Sequence, residues 1–253
     1  MTSAYQRFLA RQRAASPAAP IDLEPKFEAG WADFAAHPLL RDHWRWWEDY
    51  RKLRDVFAFQ LSLPGLGGML EARAPGLADA LAACDALDPL PPAWWHVPVL
   101  PAGLLAAWDI SWPDVERIYL ETSGPVRRRT PISARVGRLT VLHTSVALEL
   151  DDGGRIRELR GALRQAYPYF DQAGRDPDYD GQTDRFLPRA PLAFTRVDAL
   201  RSDVRELLAR FRDVELGTVT FRELRLVRYL FHERERFADV EEVAVVRLAG
   251  DET

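Results

Sequence analysis

Two short runs carry the side chains best suited to chemistry. In WWHVPVLP (94–101) His96 stands two residues before Pro98, and in FLPRAPLAFT (186–195) Arg189 stands two residues before Pro191. In an extended strand, positions i and i+2 share a face, so each pair turns its two members the same way. An imidazole titrates near neutrality and can act as a general acid or base. A guanidinium stays charged at any working pH, so Arg189 cannot exchange protons; it can hold a phosphate through two hydrogen bonds and stabilise developing negative charge. Pro98 and Pro191 offer neither a hydroxyl nor a backbone N–H, and each predicts an edge or a bulge at its point in the strand. The alternative for His96 is a packed core histidine beside Trp94 and Trp95.

The elements that must position these runs alternate along the chain. Residues 3–15 read as a short Arg-rich amphipathic helix, and SPAAPIDLEP (16–25) reads as a linker whose prolines cannot continue a helix. HPLLRDHWRWWEDYRKLR (37–54) places Leu39, His43, Trp46, Trp47 and Tyr50 at helical spacing, an aromatic face suited to packing or to stacking on a base. From residue 55 the order is strand (56–63), helix (77–87), strand (94–101), helix (111–121) and strand (132–142). The second helix opens on a Ser111 N-cap with Asp114 three residues later. The order then recurs: strand (143–150), the turn DDGG, helix (155–167), a polar loop (171–185), strand (186–195), helix (197–211), strand (219–231) and one more strand (240–248). Strands separated by helices can form parallel βαβ units, but no glycine-rich phosphate loop follows the first strand. A pseudo-symmetric α+β fold with two similar lobes fits at least as well.

Composition bounds the partners. The 253 residues, 47% hydrophobic, suffice for a sizeable core in one domain or two fused lobes. A formal net charge of −4 gives no global basic field, so any nucleic-acid contact must be local. Positive charge is almost all Arg, with Lys only at Lys26 and Lys52; guanidinium forks suit phosphate and carboxylate. Cys84 is the single cysteine, which excludes an intrachain disulfide and a Cys-rich zinc site, and HPLLRDH is not a metal site by itself. MTSAYQRFLARQRAAS lacks the apolar core of a signal peptide, and no apolar run approaches the length of a membrane span. A cytoplasmic protein without membrane contact is the expectation.

Element order and the two runs together resemble the two-histidine (2H) phosphoesterases, which include 2′-5′ RNA ligase-like proteins and cyclic nucleotide phosphodiesterases. The likeness covers about residues 55–248. PRAPLA (188–193) overlays without a gap the Pro-His-x-Thr-Leu-Ala run often found at that family's second site, putting Arg189 at the histidine position and Pro191 at the hydroxyl position. At the first site His96 keeps the histidine and Pro98 replaces the hydroxyl residue. The resemblance implies an α+β, bilobal, pseudo-symmetric duplication of a β-α-β-α-β unit. An N-terminal helical extension (1–54) precedes a 2H phosphoesterase-like domain (55–253), with lobe 1 at about 55–142 and lobe 2 at about 143–248. The two runs become equivalent central strands of superposable lobes.

The same resemblance implies a protein that acts on or binds a phosphate-containing nucleotide or RNA end, with no cofactor and no metal. If it is an enzyme, the reaction class is phosphoric diester hydrolysis of a 2′,3′-cyclic phosphate, with His96 as surviving acid or base and Arg189 as phosphate clamp. The alternative is a non-catalytic member of the fold that binds a nucleotide or another protein, and a third reading is an unrelated α+β interaction module. His143, in HTS, is the literal His-x-Ser string, but it opens the first strand of the second half; it is a candidate lining residue only. Tyr167, Tyr169 and Tyr179 flank or occupy the 171–185 loop, whose counterpart can border the family's site, so an aromatic ring there could stack on a base. His232 reads as a strand-terminal surface residue, and His37 and His43 belong to the N-terminal helices.

Overall fold

The computed structural model describes residues 23–45, 55–101, 111–142, 144–166, 186–232 and 237–250. Two antiparallel sheets frame it. The first runs β11 (Phe237–Arg247), β10 (Glu223–His232), β2 (Asp55–Ser62), β4 (His96–Pro101). The second runs β3 (Leu87–Pro89), β7 (Arg189–Thr195), β6 (Ser145–Asp151), β5 (Ile132–Val141), β9 (Glu215–Phe221). A two-stranded ribbon joins β1 (Leu39–Leu40) to β8 (Ala199–Leu200). The described helices are α1 (Leu23–Ala36), α2 (Leu66–Arg73), α3 (Leu77–Ala83), α4 (Trp112–Arg127), α5 (Arg155–Ala166) and α6 (Ser202–Ala209). None is long and apolar enough to cross a membrane.

The halves exchange strands. β5, which closes the first half, pairs with β6 in the second sheet, while β10, near the end of the second half, pairs with β2 in the first sheet. The order β4-β2-β10 is thus matched by β7-β6-β5. Each sheet therefore draws on both sides of the 142/143 boundary. The expectation of two central strands needs correction: β4 is an edge strand, and β7 is flanked on its outer side only by the three-residue β3.

Sequence pattern explains most of the elements. Phe59 and Leu61 of β2 and Val97 of β4 are fully buried, as are Ile156, Leu159 and Leu163, the apolar face expected of α5. α4 starts as its sequence indicates: the Ser111 hydroxyl accepts from the Asp114 N–H, and the Asp114 carboxylate accepts from the Ser111 N–H. Elsewhere tertiary pairing overrides local preference. The helix expected over 197–211 begins only at Ser202, because Ala199 and Leu200 pair with Leu40 and Leu39 and the Arg201 N–H donates to the Pro38 carbonyl at 2.8 Å. The strand expected over 219–231 divides at Arg222 into β9 and β10, which join different sheets. The expected linker over 16–25 overlaps α1, which takes Pro25 in its first turn, where a missing N–H has no helical partner to lose.

The described part of the N-terminal extension is built into the second sheet. Phe27, Trp31 and Phe34 of α1 are buried, α1 packs on β5, and Arg212 pairs with Glu28 while its guanidinium lies 5.3 Å from the Phe27 ring. Of the aromatic stripe, Trp46, Trp47 and Tyr50 lie outside the described residues. The His43 ring lies flat on Phe194 of β7, with centroids 3.7 Å apart, and Trp44 meets the same ring edge-on. Burial there pulls the His43 imidazole down to about 3. The unfolded chain then binds a proton that the folded chain refuses. Stability from this group is complete above about pH 6.5 and falls as pH drops toward 3, by at most about 1.4 kcal/mol per pH unit. Urea unfolding at pH 7 and pH 4.5 should show the loss, and His43→Phe should flatten it; an unchanged slope would place the acid sensitivity elsewhere.

Candidate functional site

His96 is the first residue of β4, on the edge of the first sheet, directly after a short 3₁₀ turn at Pro92–Trp94. Val97 and Val99 point into the core, whereas His96 is half-buried and Pro98 is exposed, so the i, i+2 pair does share the open face. Both ring nitrogens have partners. Nδ1 lies 2.5 Å from the Trp94 carbonyl, and Nε2 lies 2.9 Å from the Tyr229 hydroxyl of β10. The Tyr229 hydroxyl also bonds the Gln60 side chain of β2. Burial lowers the His96 imidazole below its ordinary value, an effect partly offset by the Trp94 carbonyl, and burial raises the Tyr229 phenol well above its usual range. Burial thus favours the neutral form of the ring. His96 is a hydrogen-bonded histidine facing the open side of its sheet, intermediate between the two expectations for it.

Arg189 is the first residue of β7. It stands opposite Glu149 of β6, and the two side chains form an ion pair at 3.5 Å, with the Arg side chain 25% exposed and the Glu side chain 11% exposed. Ala190 and Leu192 face the core, while Arg189 and Pro191 lie on the more open side. β4 and β7 touch, so the two runs meet where the sheets adjoin.

Each proline sits beside a bulge, as its missing N–H led us to expect. Between β2 and β4 the register steps so that Pro98 faces Gln60 and Leu100 faces Phe59, leaving Val99 as the extra residue. Between β6 and β7 the step puts Pro191 opposite Ala147 and Ala193 opposite Val146, leaving Leu192 extra. The two bulges fall at the same place, three residues after His96 and after Arg189. Each freed carbonyl is satisfied from outside its pair of strands: Val99 O accepts from the Arg160 guanidinium of α5 at 2.5 Å, and Leu192 O from the Leu90 N–H at 2.8 Å.

Other sequence candidates fall elsewhere. His143, Tyr167, Tyr169 and Tyr179 lie outside the described residues. His232 ends β10, pairs with Asp239 at 2.9 Å and stacks on Phe237, and His37 follows α1. Among the described residues no three His, Cys, Asp or Glu side chains cluster as metal ligands. Sequence reasoning missed Gln60, Glu149, Arg160 and Tyr229. Gln60 had a visible signal, a lone amide in the apolar run VFAFQLSL; Tyr229 had none, because its place depends on the β10–β2 pairing.

Solved structures share this architecture. TT0787 of Thermus thermophilus matches with a TM-score of 0.57 at 16% identity, over 78% of this chain and 99% of its own. E. coli LigT, solved with 3′-AMP, matches with a TM-score of 0.56 at 12% identity, over 77% of this chain and 98% of its own. LigT solved with NADP+ matches at 0.53 and 13% identity, over 77% of this chain and 98% of its own. The chain thus has the two-sheet α+β fold of the 2H phosphoesterases. No protein-family model matches the sequence, and no curated protein matches it either.

Proposed function

We propose that this protein binds a phosphate-containing nucleotide or an RNA end where β4 meets β7, with Arg189 as the phosphate contact and His96 as the surviving acid–base residue. The observation that supports this most is the matched pair of bulged strands, which offer His96 and Arg189 at equivalent positions of a shared fold. The ligands found with E. coli LigT, 3′-AMP and NADP+, belong to the same chemical class. Hydrolysis of a 2′,3′-cyclic phosphate needs one group to deprotonate water and another to protonate the leaving alkoxide. Arg189 can do neither, so we infer that turnover is slow and binding dominates. A purely binding role is favoured by one further feature: both nitrogens of His96 and the guanidinium of Arg189 already have partners.

Arg189→Ala should weaken 3′-AMP binding by about 1.5–3 kcal/mol, the range for a charge-assisted hydrogen bond, or roughly 10- to 150-fold in Kd. Because Glu149 competes with the phosphate for the same guanidinium, Glu149→Gln should tighten binding. Calorimetric titration at two salt concentrations checks both, with affinity falling as salt rises. Equal affinity in all three folded proteins would remove Arg189 from the site.

A further inference from the structure

We infer that the corner where α4 ends and β5 begins is an RNA-backbone surface, placed to hold the strand that leads away from a terminal phosphate at Arg189. The place of that terminus rests on the binding reading above; the surface does not.

Four exposed arginines from distant parts of the chain converge at this corner: Arg127 and Arg128 at the end of α4, Arg155 at the start of α5, and Arg222 at the joint between β9 and β10. Backbone bonds hold them together. The segment Leu248–Gly250 crosses the corner as a splint. The Leu248 N–H donates to the Arg222 carbonyl at 2.8 Å, Ala249 to Arg127 at 3.3 Å and Gly250 to Arg129 at 2.9 Å. Position 250 has no room for a side chain, since a Cβ there would lie 2.7 Å from the Arg128 carbonyl oxygen. Phe221, next to Arg222, pairs with Ile132, and the Arg155 guanidinium donates to the Pro131 carbonyl at 3.4 Å.

The positive charge is not balanced locally. Neighbouring carboxylates are engaged elsewhere: Glu158 by Arg129 at 3.3 Å, Asp151 by Arg135 at 2.5 Å and Glu223 by Arg247 at 3.8 Å, while buried Asp152 accepts from the Ile156 N–H of α5. Among the described residues the four arginines have no carboxylate partner; Asp251 and Glu252, next in the sequence after Gly250, lie outside them. Fold stability does not call for this arrangement. Arg127 complements the dipole of α4, but Arg155 stands at the N-terminal end of α5, where the dipole disfavours a cation. In a chain of net charge −4, such a concentration suits a polyanion, and guanidinium forks match phosphate oxygens. An anionic bilayer fits less well, because α4 also exposes Glu116 and Glu121. Position favours RNA. Arg189 stands opposite Glu149 and Glu149 opposite Gly137, so the corner lies two strand spacings across and five residues along β5 from Arg189, roughly 20 Å. A stacked strand covers that span in about six nucleotides at ~3.4 Å each.

Fluorescence anisotropy on the full chain tests this with two labelled probes, a dinucleotide and an octanucleotide of adenylate, each ending in a 3′-phosphate. The octanucleotide should bind more tightly than the dinucleotide in the natural protein. The two should bind equally in Arg127→Gln/Arg128→Gln/Arg155→Gln/Arg222→Gln. Each phosphate contact on a single strand adds about 0.7 to the salt slope, so raising salt from about 50 to 200 mM should weaken octanucleotide binding roughly 50-fold more in the natural protein than in this variant. Arg127→Gln/Arg128→Gln should lose about half of that slope, and it decides the matter if the fourfold variant does not fold. Neither variant should change dinucleotide affinity. An octanucleotide that binds no tighter than the dinucleotide, or a salt slope that the substitutions leave unchanged, overturns the inference. So does a loss seen only with vesicles of phosphatidylserine and phosphatidylcholine. If the slope difference appears while 3′-AMP does not bind and Arg189→Ala changes nothing, the RNA surface stands and the Arg189 reading fails.

Discussion

Arg189→His combined with Pro98→Thr and Pro191→Thr should raise hydrolysis of 2′,3′-cyclic AMP by roughly 10²–10⁴-fold, the usual contribution of one general acid or base. The structure explains why the new imidazole would suit the acid's role. A histidine at 189 stands opposite Glu149, whose carboxylate would stabilise the imidazolium and raise its titration point. Burial pushes His96 the other way, favouring its neutral form. Two titrating groups with opposed environments divide naturally into acid and base. The threonine hydroxyls would occupy the open positions now held by the prolines and could donate to phosphate oxygens. Steady-state rates on the triple variant check this, with His96→Ala added as the control that should erase the gain. An unchanged rate in a folded triple variant would show that the cleft does not seat the substrate for attack.

The second large effect falls on stability. Arg160 is 2% exposed, donates to the Val99 carbonyl at the β4 bulge, and lies with its guanidinium 4.7 Å from the Phe186 ring. Arg160→Ala removes the stem from a packed site and leaves an edge-strand carbonyl without its donor. A loss of about 3–5 kcal/mol is expected, from the cavity and the unsatisfied acceptor together. Arg160→Lys should recover little, because an ammonium lacks the planar fork that bonds a carbonyl while lying over a ring. Urea denaturation measures both. A loss under about 1 kcal/mol in the Ala variant would mean that water replaces the guanidinium at Val99.

How far the sequence led can be traced residue by residue. His96 and Arg189 were singled out by the resemblance of their two runs to a family's motifs; the shared faces and both bulges, which strand alternation and the prolines predict locally, are where those residues required. The capping box at Ser111 is a local signal of the same kind. What the sequence concealed is long-range. Glu149 neutralises Arg189, and Tyr229 completes His96, only through strand neighbours far along the chain. The division at Arg222 was equally hidden, since an alternating pattern specifies a strand without naming its sheet. The N-terminal aromatics looked like a helical stripe, yet Leu39 and Leu40 were claimed by a ribbon and His43 by Phe194.

The exchange of strands between the halves sets a timetable for the nascent chain. β2 cannot complete its sheet until β10 exists, for Asp55 lies opposite Leu230 and Gln60 opposite Arg225. At a synthesis rate of about 5–20 residues per second, β2, complete at Ser62, waits on the order of ten to thirty seconds with one flank open. In that interval the apolar run from Phe57 to Leu61 is a template for pairing with any other unfinished chain. The adjacent strands β5 and β6 can pair early, whereas the sheet that joins the two ends closes last, and a chain halted between residues 142 and 223 keeps one flank of β2 open. Separately expressed halves, cut after residue 142, should each aggregate alone and assemble when made together.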